Sequence, residues 1–449
     1  MNRVENYDRS IRAQPRQLVY AESVEQIQSI LTNARDFPSP VRATGSYHSV
    51  TPCASSDGTM INMSRMNRVL AIDETNMTIT AQAGVQIVDA AKALRKKSLQ
   101  LPTNVEIGNA TLGAAACCHI KDGLDGGQPC SSATNIKWVT PDGKRWEDSE
   151  TKSTDLLALV RSSHGLCGVV YEVTFRIKPL QAIALTYLSR PTAQLNQKEV
   201  DQIVANSEGL ICWTVGDTSV FQIRRTAKKT SPLGPLCARI RHRLWSHTGA
   251  YVARAIDTYV PAGPLRDLSH YLHFSSYRAT YAALQMAGGF ALENPDKIID
   301  YRRTPPSSRF SFSFWAFPAG QWVEVFREYR QFVDKHFRKY GFRYNCPLVS
   351  YRIPKDDRSI LSCTHDGDVL TIDPIHAYTD KAAWYRFLQE LNEFSYNRKG
   401  IPLINQTPLL ERQHLVAAYG ERWRRFCDWA RTMDPEQRML NDFFAGLLV

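Results

Sequence analysis

The 449-residue sequence predicts an α+β fold of two domains followed by a helical carboxy-terminal return, and three observations lead there. Through residue 178, short stretches that alternate apolar and polar residues, such as 77–84, interleave with brief runs of helical spacing. From Pro179 the segments become longer and more aromatic, which marks a change of architecture. Two loops of small residues, 41–50 and 108–119, punctuate the first region. The boundaries read as 1–178, 179–402 and 403–449, and a chain of this length can bury a large core.

Gln17-Leu18-Val19-Tyr20 reads as a strand, and Val24, Ile27, Ile30 and Leu31 then keep helical spacing behind Ser23. Strands are expected at 41–43, 59–63, 68–72 and 77–84, and a helix at 86–97. Pro141-Asp142-Gly143 between 135–140 and 144–146 is a hairpin turn. A helix near 155–160 precedes 165–177, a glycine-flanked turn that enters a strand. In the second region, 309–317 alternates polar and aromatic residues as one strand with a buried face. Helices at 322–339 and 381–396 flank strands at 344–352 and 369–374, the makings of an antiparallel sheet with helical cover. The return, 400–407, leads into helices that run to the end.

Composition narrows the function classes. The chain is 43% hydrophobic and 22% charged, with no apolar run of about 18 residues that would cross a membrane. Its first residues lack an apolar signal core, so a cytoplasmic location is expected. Ten cysteines without CxxC pairs read as reduced thiols, and no metal site is expected. The net charge of +11 concentrates between Arg224 and Arg254, where Leu236, Ile240, Leu244 and Trp245 are interleaved. That mixture suits either a solvated face or a peripheral contact with anionic lipid. No nucleic-acid motif accompanies it, so nucleic acid is not an expected partner.

The loop Thr44-Gly45-Ser46-Tyr47-His48-Ser49 carries the chemistry. Gly45 and its small neighbours let backbone N–H groups approach a pyrophosphate, and the His48 imidazole can reach a cofactor ring. The second small-residue loop holds Gly108, Thr111, Leu112, Gly113, Cys118 and His119, which suits a planar ligand. These loops occur with "DGTMINMSRMNRVLAID", "ITAQAGVQIVDA", "VTPDGK" and "GLCGVVYEVTFRI" in that order. The succession resembles the FAD domain of the vanillyl-alcohol-oxidase superfamily (PCMH-type), closest to sugar-lactone and alditol oxidases. The resemblance implies a two-subdomain FAD-binding domain, an α+β cap over the substrate, and FAD held covalently by His48 in a G-x-x-H-S context. It also places Gly168, Val169, Val170 and Asn441 at the cofactor.

The stretch Cys117-Cys118-His119-Ile120-Lys121-Asp122-Gly123 departs from the usual glycine-rich second loop. It is more similar to decaprenylphosphoryl-ribose oxidases, as is the carboxy-terminal return. By the same resemblance Arg352 matches an arginine that stabilises reduced flavin, but Ser350 stands where a glutamate is usual. Asp373 and His376 fall near a family histidine, and Gln406 near a family lysine. Tyr351, His365, Asp373 and His376 are candidates for the base. The function implied is oxidation of an alcohol of a carbohydrate-like or other small molecule, with O2 or another acceptor reoxidising the flavin. Alternatives are a membrane-associated oxidase of a lipid-linked sugar and a flavin-binding protein without turnover. Oxidative cyclisation, which uses a second cysteinyl link, would need Cys118 or Cys130.

Overall fold

The structure, a computed structural model, describes residues 2–120 and 127–448, so Lys121, Asp122 and Gly123 of the second loop lie outside the described residues. Two small sheets organise the amino-terminal region. In a parallel three-stranded sheet, Thr59–Asn62 lies between Gln17–Tyr20 and Val41–Thr44. A five-stranded antiparallel sheet runs Arg145–Ser149, Ala133–Val139, Val169–Arg176, Thr78–Gln82, Val69–Asp73. The helix Val24–Thr32 begins where the Ser23 side chain caps Gln26 N, as its sequence position suggested. It buries Ile27, Ile30 and Leu31 in the core shared by both sheets.

The second region is built on an antiparallel sheet, eight strands among the described residues, with Ala182–Pro191, Thr218–Ala227, Gly209–Val215, Leu348–Ile353 and Val369–Ile372 at its centre. Strand periodicity sorts its two faces. Leu210, Cys212 and Leu348 join a core with the helices Trp322–Tyr340 and Lys381–Tyr396. Ile211, Val349, Tyr351 and Ile353 face the helices Ala250–Tyr259 and Pro264–Leu284 instead. The single strand expected at 309–317 is two: Ser311–Phe312 pairs with Ile375–His376, and Trp315–Pro318 pairs with Val369–Ile372. Ser313 N donates to Pro374 O at the switch between them.

The carboxy-terminal helices pack on the second core, yet their connecting segment grips the first region. Val41 N donates to Arg438 O at 2.8 Å, and the Arg438 guanidinium donates to Ile30 O and Leu31 O. Arg42 reciprocates from the other side. It is 2% exposed, and donates to Cys53 O and Met439 O at 3.0 Å each, to Gly165 O at 3.3 Å, and to His164 O. One buried cation thus satisfies carbonyls from three distant segments. Arg42→Met leaves the His164, Gly165 and Met439 carbonyls without this donor, and is expected to lower unfolding stability by about 3 kcal/mol. Urea unfolding of the two proteins measures it, and a loss under about 0.5 kcal/mol, the range of ordinary surface substitutions, would remove Arg42 from the account.

Candidate active site

Two cavities meet inside the molecule. One, about 1110 Å³ measured to its mouth, lies between the loop 45–49 and the helix Leu112–Cys117. The other, about 1460 Å³, lies on the sheet face that carries Tyr351. Ile107 and Phe312 line both, so the two spaces adjoin there.

The first cavity is a crevice of small residues. Thr44, Gly45, Ser46, Tyr47, His48 and Ser49 form one wall, and Thr111, Gly113 and Cys118 stand opposite with Gly168 and Val170. A β-carbon on Gly45 would stand 2.4 Å from Thr111 Oγ1, so only glycine allows the two loops to close to this spacing. Tyr47 adopts a left-handed φ of 53°, uncommon for a residue with a side chain. It is held there by Tyr7 N donating to its carbonyl at 3.0 Å, and by contact of its hydroxyl with Ser55 Oγ. The turn leaves His48 lining the crevice, its ring stacked on Tyr7 with centroids 4.7 Å apart and planes 21° apart. Burial, aided by the Arg309 charge, pushes the His48 imidazole down to about 4. It is therefore neutral near pH 7, with a ring nitrogen lone pair to offer.

Asn405 and Gln406 reach this crevice from the carboxy-terminal return. Thr44 Oγ1, Asn405 Oδ1, Gln406 Oε1 and both ring nitrogens of His164 are buried there without a hydrogen-bond partner among the described residues. Buried polar atoms are nearly always paired. Their convergence on a slot of small residues fits a long ligand that carries its own polar groups.

Other sequence expectations go elsewhere, for local reasons. Gly108 lies outside the crevice, where its backbone meets Ile299 O and a β-carbon would meet Ile298. Leu112 and Val169 are core side chains, facing away from Gly113 and Val170 in each case. Cys118 is extended, so Cys118 and Ile120 face the crevice while His119 turns away to Ser359 Oγ at 2.8 Å. Asn441 is a clip: its side-chain amide donates to Pro52 O and Ser55 O, fixing the segment after the His48 loop. Cys130 does not line the crevice.

The second cavity has mainly apolar walls, among them Ile183, Leu185, Val220, Phe274 and Trp245, with a polar group beside Ile107, where it adjoins the crevice. Glu106 accepts from Arg224 Nη2 at 2.9 Å, and Tyr351 OH lies 3.5 Å from the other Glu106 oxygen. Tyr351 thus lines this cavity, whereas Arg352 does not. One residue further along the strand, Arg352 points to the opposite face and is held by Asp368 at 2.7 and 3.0 Å. Asp373 is buried toward Tyr329. His376 is packed flat on Trp384 with centroids 5.1 Å apart, outside both cavities. His365 pairs with Asp366 at the surface. Arg224, expected in an exposed basic stretch, is instead 2% exposed and part of the cavity. Glu106 carried no sequence signal beyond standing just before the second small-residue loop.

His376 is pushed down to about 4 by burial, below its ordinary 6.5. The unfolded chain takes up a proton that the folded chain refuses, so stability falls as pH drops from about 6.5 toward 4. His376→Phe removes this site, and should lose less stability on acidification, by up to about 1.4 kcal/mol per pH unit in urea unfolding.

Residues 15–149 match the FAD binding domain family, and residues 173–447 match the D-arabinono-1,4-lactone oxidase family. The chain is 28% identical to L-gulonolactone oxidase of Bos taurus over 197 residues, which is 44% of each chain. It thus spans less than half the length of that relative. L-gulonolactone oxidase of Scyliorhinus torazame is 21% identical over 448 residues, 98% of this chain and 96% of that one. In fold it is similar to cholesterol oxidase of Brevibacterium sterolicum, with TM-score 0.76, 13% identity, and coverage of 100% of this chain and 96% of that one. With more than half its length in that match, the chain belongs to the D-arabinono-1,4-lactone oxidase family of FAD-dependent flavoproteins, within the vanillyl-alcohol-oxidase superfamily that its loops resembled.

Proposed function

We propose that this protein is an FAD-linked oxidoreductase that oxidises a CH–OH group of a small molecule at the junction of the two cavities. The observation that carries the reading is that junction: Ile107 and Phe312 are shared by a crevice suited to FAD and a cavity that holds Glu106, Arg224 and Tyr351. The names of the relatives, sugar-lactone oxidases, support redox turnover over cofactor storage. The domains are assigned as cofactor domain 1–178, cap 179–402 and closing segment 403–449.

FAD, when bound, supplies the hydride acceptor, and an oxidant such as O2 restores it. Gly45, Gly113 and Gly168 line the slot for its body, each packed too closely on a protein neighbour for a β-carbon, with Thr44, Asn405 and Gln406 offering buried polar atoms. His48, neutral and presented on the wall, is the attachment residue. In the second cavity Glu106 accepts the hydroxyl proton of the alcohol, Arg224 holds its carboxylate in place, and Tyr351 orients the hydroxyl. The apolar walls exclude water from the reacting carbon.

Glu106→Gln keeps the shape and the Arg224 contact but removes the proton acceptor. Anaerobic mixing with an alcohol panel should show flavin bleaching slowed about a hundredfold or more, at unchanged flavin content. An undiminished rate would take Glu106 out of the reaction. Flavin that no alcohol bleaches in the parent protein would favour binding without turnover.

A further inference from the structure

The cap carries a surface that the reaction does not need. Most of the exposed large apolar side chains of the described residues fall between Leu233 and Phe290, on or just beside the helices Gly234–Leu244, Ala250–Tyr259 and Pro264–Leu284. On the last of these, Leu265, Leu268 and Leu272 form an outward stripe, 63%, 51% and 58% exposed. The opposite stripe, Phe274, Tyr277 and Tyr281, is buried and lines the second cavity. The helix is thus apolar on two faces, one against the cavity and one against solvent. Leu236 and Ile240 on the first helix, and Tyr259 at 83% on the second, are exposed as well.

Charge says what such a surface fits. Residues 233–290 hold six arginines against two aspartates. Both acids are engaged: Asp257 accepts from His270, Asn345 and Thr379, and Asp267 lies 3.8 Å from Arg343. Exposed Arg239 and Arg243 stand beside Leu236 and Ile240 at helical spacing. Apolar side chains ringed by arginine suit the boundary between anionic headgroups and acyl chains. No helix of the described residues is long and apolar enough to cross a membrane, so the contact would be peripheral. Position adds the second observation. Of the residues that line the second cavity, Tyr271 and Arg278 are the exposed ones, and both lie on Pro264–Leu284. The cavity therefore opens beside the leucine stripe.

We infer that these helices seat the protein on an anionic lipid surface, with the cavity mouth at the bilayer, and that the substrate is an amphiphilic alcohol drawn from the membrane. The substrate clause rests on the oxidoreductase reading above; the seating does not. An amphiphile entering from the bilayer places its apolar body against Ile183, Leu185, Val220 and Phe274, and its hydroxyl toward Glu106.

The test is co-sedimentation of the flavin-loaded protein with phosphatidylcholine vesicles, with and without phosphatidylserine. Binding should be about tenfold tighter to the anionic vesicles and should fall with added salt. Leu265→Ser/Leu268→Ser/Leu272→Ser should lose that binding at unchanged melting temperature and flavin absorbance. Equal binding to both vesicles, or an undiminished triple variant, overturns the seating. Farnesol should raise the melting temperature of the protein while a sugar lactone does not; the reverse overturns the substrate class. Vesicle binding by protein whose flavin no alcohol bleaches would overturn the oxidoreductase reading and leave the seating standing.

Discussion

The guanidinium of Arg42 is the contact on which the crevice depends. It is buried among carbonyls from the segment after the His48 loop, from the turn before the strand Val169–Arg176, and from the carboxy-terminal return. A buried cation is costly unless its donors are filled, so these segments come together as a set. Part of the crevice wall continues the same segments. The loop 45–49 leaves the strand that carries Arg42, and Gly165 and Gly168 belong to the turn; Asn405 and Gln406 come from a separate segment, tied to the loop where Val50 N donates to Asn405 O at 3.2 Å. A crevice at the meeting of distant segments is thereby held by one side chain that also lines it.

Electrostatics separates the two halves of the site. On the cofactor side, burial dominates: His48 and His119 are each pushed down to about 4, and no carboxylate lines the crevice among the described residues. On the cap side, Glu106 and Arg224 are paired in a largely apolar cavity that also holds Lys297 and Gln222, which accepts from Arg224 Nε at 3.0 Å. In the function proposed above, the neutral imidazole is the attachment group and the paired carboxylate the proton acceptor. Each would serve poorly in the other's place.

The cofactor half was legible because its signal is local. Small residues in a loop, a glycine that permits close approach and a histidine at the loop end all lie within a few positions of one another, and the loop 44–49 lines one crevice. The cap half was less so, since its chemistry depends on faces. Tyr351 and Arg352 are neighbours in sequence and enemies in register: one faces the cavity, the other pairs with Asp368 behind the sheet. Arg224 looked like one charge among many in a basic stretch, yet strand position buries it against Glu106, some 118 residues away in sequence. Nothing near Glu106 announces that partner. The strand expected at 309–317 failed for a similar reason, because its two halves pair with different partners.

The central claim is that the crevice under the His48 loop holds FAD and that His48 is joined to it. Acid precipitation of the purified protein, followed by mass mapping of the peptide around His48, tests it most directly. The account predicts flavin in the pellet and a His48 peptide heavier by the mass of FAD. Flavin released entirely into the supernatant would contradict the attachment, and a protein that purifies without flavin would contradict the site.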